Sequence, residues 1–368
     1  MRILGLMTGT SVDSADFALV DFTLEGDTLH ARIAASGERP WPRELRGRVL
    51  DAVTRAEIPS LAALTLLDAE VGEFLAGVVG DVRERATSET DTPIDLVVSP
   101  GQTLFHNVEK GRTLATLAIG DPSRIHAATD IPTLGTVRSA DIARAGTGAP
   151  LAPLLDRLLL GPEGGCAVNI GGIANATMCF PATVGTSGIP KLRAGDTGPG
   201  NGLIDAVAAE RTGTACDTDG ALAAAGNVHE RLLRSLLADP YFALPFPKST
   251  GREYFSPAWL AARAREAHVD LAALSTEDVL ATLTELTARA LADALTREAQ
   301  AEPQMRLHIT GGGAHNPTLM TRIAKLLPAC SVETGPLGGL DPDIKEAFLM
   351  ALIGYFSAHG LPGTLTDA

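Results

Sequence analysis

Aromatic residues are scarce in this chain, 4% of 368 positions, and basic residues are outnumbered by acidic ones, 30 against 44, for a formal charge of −14 at pH 7. Both shortages weigh against nucleic-acid binding, which stacks bases on aromatic rings and holds phosphates with Lys and Arg. Cysteine is sparse too. Cys166, Cys179, Cys216 and Cys330 form no C-x-x-C pair and stand at no zinc-ligand spacing. Reduced thiols in a cytosol are expected, with Cys166 and Cys179 as small core residues. No apolar run approaches the ~18 residues that span a bilayer, and the first apolar stretch, up to Met7, is too short for a signal peptide. A Walker-type loop is also missing, which argues against a P-loop fold. The expectation is a cytoplasmic protein that binds neither nucleic acid nor membrane.

What is present is ample core material: 45% hydrophobic against 20% charged residues, in a chain long enough for about two domains. Two segments repeat one device. Ile3 to Phe22 reads as a strand, a polar turn around Thr8-Gly9-Thr10-Ser11 with Asp13 and Asp16, and a returning strand. Cys166 to Phe180 reads as a strand, the turn Gly171-Gly172 with Asn175 beyond it, and a returning strand. The repetition suggests an internal duplication with one hairpin per lobe. Elsewhere strand-like and helical stretches alternate. Helices are expected over 61–82, 149–160, 202–211 (capped by Asn201), 280–299, 317–327 and 346–356, strands over 95–98 and 306–310, and a loop over 180–192. Such alternation argues for α/β layers, with ligands at the carboxyl ends of strands.

Three glycine turns invite a phosphate reading, because glycine lets backbone amides approach an anion closely. Gly9-Thr10-Ser11 with Asp13 offers donors and a carboxylate able to hold Mg²⁺ directly or through water. Gly171-Gly172 is the second such turn. Gly311-Gly312-Gly313, between a strand and a helix, offers bare backbone to a base and ribose. Each alone reads more readily as an ordinary turn; their combination, order and spacing favour a nucleotide site instead.

These residues resemble the anhydro-N-acetylmuramic acid kinases of the actin, sugar-kinase and Hsp70 ATPase superfamily. The likeness runs through Met7 to Asp13 with Asp16, Gly101-Gln102-Thr103 with His106, Ile119-Gly120-Asp121, Gly148 to Leu151, Val168 to Asn175, Asp196 to Asn201, Lys248 to Phe255, Gly311-Gly312-Gly313 with Asn316-Pro317, and Glu346-Ala347. It implies an α/β fold of two actin-like (ribonuclease H-like) lobes with mixed central sheets, flanking helices and a cleft between them. Lobe I would span 1–130 with a C-terminal helix, 344–368, packed back on it; lobe II would span 131–343. The implied activity is ATP- and Mg²⁺-dependent: water opens a 1,6-anhydro sugar at C1 and O6 is phosphorylated. Asp196 would be the general base. Gly9, Thr10, Ser11, Val12, Asp13, Ser14, Ala15 and Asp16 would hold ATP together with Gly171, Gly172, Asn175 and the three glycines 311–313. Gln102, Thr103, Arg138 and Glu346 would hold the sugar, and a homodimer is implied.

The residues also admit plainer readings. Asp196 suits a turn that bonds its own backbone, Arg138 a bracing salt bridge, His106 a structural hydrogen bond, and Lys248 to Phe255 a fold or interface role. Ser14, Ser99-Pro100, Gly135 to Ala140, and Ala145 to Gly148 depart from the family pattern, mostly around the expected sugar pocket. A different 1,6-anhydro sugar, levoglucosan-like, therefore stands as an alternative substrate, and a catalytically silent ATP-binding regulator as an alternative function.

Overall fold

The computed structural model describes residues 1–368 except 10, 11, 27, 55–58, 90, 91, 110, 111, 145, 147, 150, 182–191, 252, 253, 301–303 and 364–368. The chain forms two compact units, Met1–Leu155 with Leu340–Leu365, and Asp156–Gly339.

Unit 1 is built on β1 (Arg2–Thr8), β2 (Ser14–Glu25), β3 (Thr28–Pro40), β4 (Leu96–Val98), β5 (Gln102–Glu109), β6 (Arg112–Ile119) and β7 (Thr133–Leu134). Its main sheet has the order β3-β2-β1-β4-β7, while β5 and β6 form a separate hairpin. β1 pairs antiparallel with β2 and parallel with β4. Apolar residues fill β1 without alternation because both its faces are covered. Leu4 and Leu6 enter a core with Val71, Leu75, Trp41 and Phe74. On the other face Gly5 meets the helix Lys345–Ala358, where a methyl group would overlap the Ala347 carbonyl oxygen and stand 2.5 Å from Ala351 N. Only glycine allows that approach. Gly5→Ala is expected to cost about 3 kcal/mol of stability, read as a lowered thermal midpoint; an unchanged midpoint would refute this packing.

Unit 2 repeats the plan with β8 (Gly165–Ile170), β9 (Ile173–Cys179), β10 (Leu192–Pro199), β11 (Arg306–Thr310) and β12 (Ser331–Thr334), in the order β10-β9-β8-β11-β12. In both sheets the second strand in sequence runs against the other four. The shared order and directions match the duplication expected from the hairpins. The helix Thr276–Ala299 packs along β9 and β10, buries fourteen residues, and starts at Ser275, whose hydroxyl accepts from Asp278 N at 3.1 Å. Both units are thus α/β, with a mixed sheet and flanking helices.

The sequence divides the lobes after 130 and 343; the compact units divide after 155 and 339. β7 accounts for the first difference, since it hydrogen-bonds in parallel to β4 and draws the segment with Arg138 into unit 1. Most of the expected loop at 180–192 lies outside the described residues. Among those described, no helix is long and apolar enough to cross a membrane.

Candidate active site

In unit 2, strand pairing sets three polar residues in a row. Asn169 opposes Asn175 across β8 and β9, and Asn175 opposes Asp196 across β9 and β10. Opposed residues on antiparallel strands project to one face. Asp196 sits where the β10 register slips toward Gly198, an irregularity that re-aims a side chain. Its Oδ2 accepts from Thr250 N at 2.8 Å and Ser249 Oγ at 3.2 Å. Its Oδ1 carries no hydrogen bond among the described residues. Its main chain is held as well: the amide donates to Lys248 O at 2.8 Å, and the carbonyl accepts from Tyr241 Oη at 2.8 Å. Burial raises the Asp196 pKa, opposed by the Thr250 and Ser249 bonds and by the nearby Lys248 charge. A carboxylate bound on one oxygen and open on the other is suited to accept a proton.

The glycine turns pack beside this row. Gly311, at φ +81°, leaves no room for a side chain: a methyl would lie 2.6 Å from Asn169 Oδ1 and 2.7 Å from Ile170 O. Gly313 is buried against Ile170, so of the three glycines only Gly312 is exposed. The Gly171 amide donates to Ile173 O at 3.2 Å, while the Gly172 amide has no backbone acceptor among the described residues. Asn201 was expected to cap the helix Gly202–Thr212, yet its side chain makes no capping bond. The Gly172 carbonyl accepts from Gly200 N and Gly202 N, and the Asn201 side chain lies beside Gly312 and Gly313.

In unit 1, Arg138 and Glu346 are neighbours without forming an ion pair, and Asp16 lies close to Glu346. Arg138 donates to Gly148 O at 2.8 Å, and burial lowers its pKa against the Glu346 charge. Desolvation by the surrounding protein raises the Glu346 pKa, Arg138 lowers it, and Asp16 raises it further. Asp16 is raised by burial and by Glu38 and Asp343, while Ser14 Oγ donates to it at 2.8 Å. Two β-branched residues here hold left-handed backbone, Val12 at φ +52° and Thr136 at +50°. Such strain concentrates at functional sites. A cavity of about 340 Å³ reaches Arg138, walled by Asp68, Ser99, Gly101, Asp121 and Thr136. A larger depression of about 760 Å³ on unit 2, along Ala258, Ala261 and Leu271, holds none of the candidate residues.

A family model described as anhydro-N-acetylmuramic acid kinase matches residues 1–368. The chain belongs to the anhydro-N-acetylmuramic acid kinase family. Curated relatives of that name include proteins from Streptomyces coelicolor, 41% identical over 99% of this chain and 90% of their own length, and from Rhodococcus erythropolis, 40% identical over 100% and 90%. The relative from Xanthomonas axonopodis pv. citri is 41% identical over 94% and 88%. Among solved structures, a xylulose kinase from Rhodospirillum rubrum aligns over 96% of this chain and 90% of its own at 15% identity and a TM-score of 0.43; that distant likeness adds nothing to the duplicated sheet order. Family membership makes the chain a sugar kinase, working on a small molecule with ATP.

As a member of the anhydro-N-acetylmuramic acid kinase family, the chain places its expected site residues unevenly. The structure gathers Arg138, Glu346 and Asp16 in one unit and Asn175, Gly172, Gly312 and Asp196 in the other. Val12 and Ala15 are fully buried, backbone included, and the Val12 carbonyl accepts from Arg46 Nε at 2.8 Å. Thr10 and Ser11 lie outside the described residues. Gly9 O accepts from Val12 N and closes its turn. Gln102 is 1% exposed with its Oε1 unpartnered, and no hydrogen bond among the described residues links it or Thr103 to Arg138 or Glu346. Asp13, the candidate Mg²⁺ ligand, is ion-paired to Arg46 at 2.5 Å. No group of three or more His, Cys, Asp or Glu among the described residues is placed to hold a metal. A cation carried by nucleotide phosphates, needing at most one or two carboxylates, fits this surface better than a protein cage. Sequence reasoning missed Ser249 and Thr250 as partners of Asp196, and Asn201 as a neighbour of the glycine loop.

Proposed function

We propose that this kinase hydrolytically opens the bridge of 1,6-anhydro-N-acetylmuramic acid and phosphorylates O6 to give N-acetylmuramic acid 6-phosphate. Asp196 is the general base: its Oδ1 takes a proton from water as the water oxygen bonds to C1. The C1–O6 bond breaks, its electrons pass to O6, and O6 attacks the γ-phosphorus of ATP, releasing ADP. Coupling the steps spares any free alkoxide. Mg²⁺ on the nucleotide supplies charge neutralisation in the transfer. Arg138 pairs with the sugar's lactyl carboxylate, and Glu346 accepts from sugar hydroxyls. Asn175, Gly172, Gly312 and the Gly9–Asp16 turn hold the nucleotide.

The Asp196 carboxylate, pinned through Oδ2 and open at Oδ1, carries this reading. Activity therefore falls as pH drops through the Asp196 pKa, because only the ionised form accepts a proton; its raised pKa puts that acid limb above the ordinary aspartate range. A pH–rate profile checks this. A panel of 1,6-anhydro sugars with ATP and Mg²⁺, followed by ADP release, tests the substrate. Turnover confined to the muramic sugar supports the assignment, faster turnover of a neutral levoglucosan-like sugar favours the alternative substrate, and nucleotide binding without turnover of any sugar favours a silent regulator.

A further inference from the structure

The run Lys248-Ser249-Thr250 has no chemistry of its own in the reaction above, yet it surrounds Asp196. Thr250 supplies a backbone donor that side-chain substitution does not remove, Ser249 a hydroxyl donor, and Lys248 the carbonyl that accepts from the Asp196 amide. The Lys248 ammonium stands 4.3 Å from the centroid of the Tyr241 ring and donates to Tyr241 O at 3.1 Å. Tyr241 returns the support by donating its hydroxyl to Asp196 O. Tyr241 is anchored in turn: its amide donates to Asp239 Oδ1 at 3.0 Å, and the buried Asp239 also accepts from Tyr254 Oη and Trp259 Nε1, each at 2.8 Å. Two tiers thus converge on one residue, Ser249 and Thr250 on the Asp196 carboxylate and Lys248 and Tyr241 on its main chain.

We infer that Ser249 and Lys248 are positioning residues: Ser249 holds Oδ2 of Asp196 by its hydroxyl so that Oδ1 alone meets the water, and Lys248 braces the Asp196 main chain, directly through its own carbonyl and indirectly through Tyr241. This rests on the general-base reading of Asp196. Burial by itself favours the protonated acid, which accepts no proton; hydrogen bonds and a nearby cation favour the carboxylate. Those opposing influences act together on Asp196. Lys248 is itself partly desolvated, its pKa drawn down to about 8 by burial and by Arg297, against Glu298 and Asp196, so its charge declines within the neutral-to-alkaline range.

The test compares pH profiles of kcat and kcat/KM for the wild type, Ser249→Ala, Ser249→Thr, Lys248→Met and Lys248→Arg, with thermal midpoint and ATP affinity measured alongside. Ser249→Ala is expected to lower kcat about tenfold, to leave KM for ATP unchanged and to move the acid limb to higher pH. Lys248→Met moves the limb the same way. Ser249→Thr and Lys248→Arg restore it. Lost activity with an unmoved limb and a lowered thermal midpoint would reduce the run to a structural prop, and unchanged kinetics would also overturn the proposal. A carboxyl ¹³C titration of Asp196, assigned by the resonance lost in Asp196→Asn, gives the same reading without turnover: its midpoint rises in Ser249→Ala, or the proposal fails. If Asp196→Asn retains turnover, the general-base reading fails; if Asp196→Asn is inactive and the Ser249→Ala limb stays put, only this inference does.

Discussion

Asp196→Asn lowers turnover by about a thousandfold, the usual contribution of a positioned general base, and leaves ATP affinity close to that of the wild type. Asparagine keeps the shape and can still accept from Thr250 N and Ser249 Oγ at its oxygen. What it lacks is a second oxygen able to take a proton. Since the fold and the hydrogen bonds to Oδ2 survive, the loss belongs to kcat. Single-turnover kinetics with a fluorescent nucleotide separate the two: weakened ATP binding with near-normal turnover would mean that Asp196 serves the nucleotide instead.

Arg138→Met cuts kcat/KM for the muramic sugar by about 10- to 100-fold, the worth of one hydrogen-bonded charge pair, and changes that for a neutral anhydro sugar little. Methionine keeps much of the stem's packing and removes the guanidinium. Among the described residues that group makes one hydrogen bond, to Gly148 O, which leaves donors for a carboxylate. Equal losses on acidic and neutral sugars would show that Arg138 braces the loop around Gly148 rather than reading the substrate.

The duplicated hairpins were legible because apolar runs broken by glycine carry a strong local signal, and β1 with β2 and β8 with β9 form where that signal stands. β3 and the β5–β6 hairpin were not, since their residues alternate weakly and stay partly exposed. The boundary after 130 missed β7 because a two-residue strand has no sequence signature. Asn201 is a favoured cap by residue type, but in the fold its backbone is already helical, φ −79° and ψ −16°, and its side chain makes no capping bond. In the candidate site, Asp196 was reachable through its motif, whereas its bond to Thr250 spans 54 positions and belongs to the folded chain alone. Gly311 reads from the sequence as open backbone, and in the fold its missing side chain also makes room for Asn169 and Ile170.

The central claim is that one enzyme both opens the bridge and transfers the phosphoryl group. Mass spectrometry and ³¹P NMR of the product formed from 1,6-anhydro-N-acetylmuramic acid, ATP and Mg²⁺ test it most directly. The expected product is heavier than the substrate by a water and a phosphoryl group, with phosphorus on O6 and one ADP released per sugar. A phosphorylated sugar with its anhydro bridge intact, or ADP with no sugar phosphate, would contradict it.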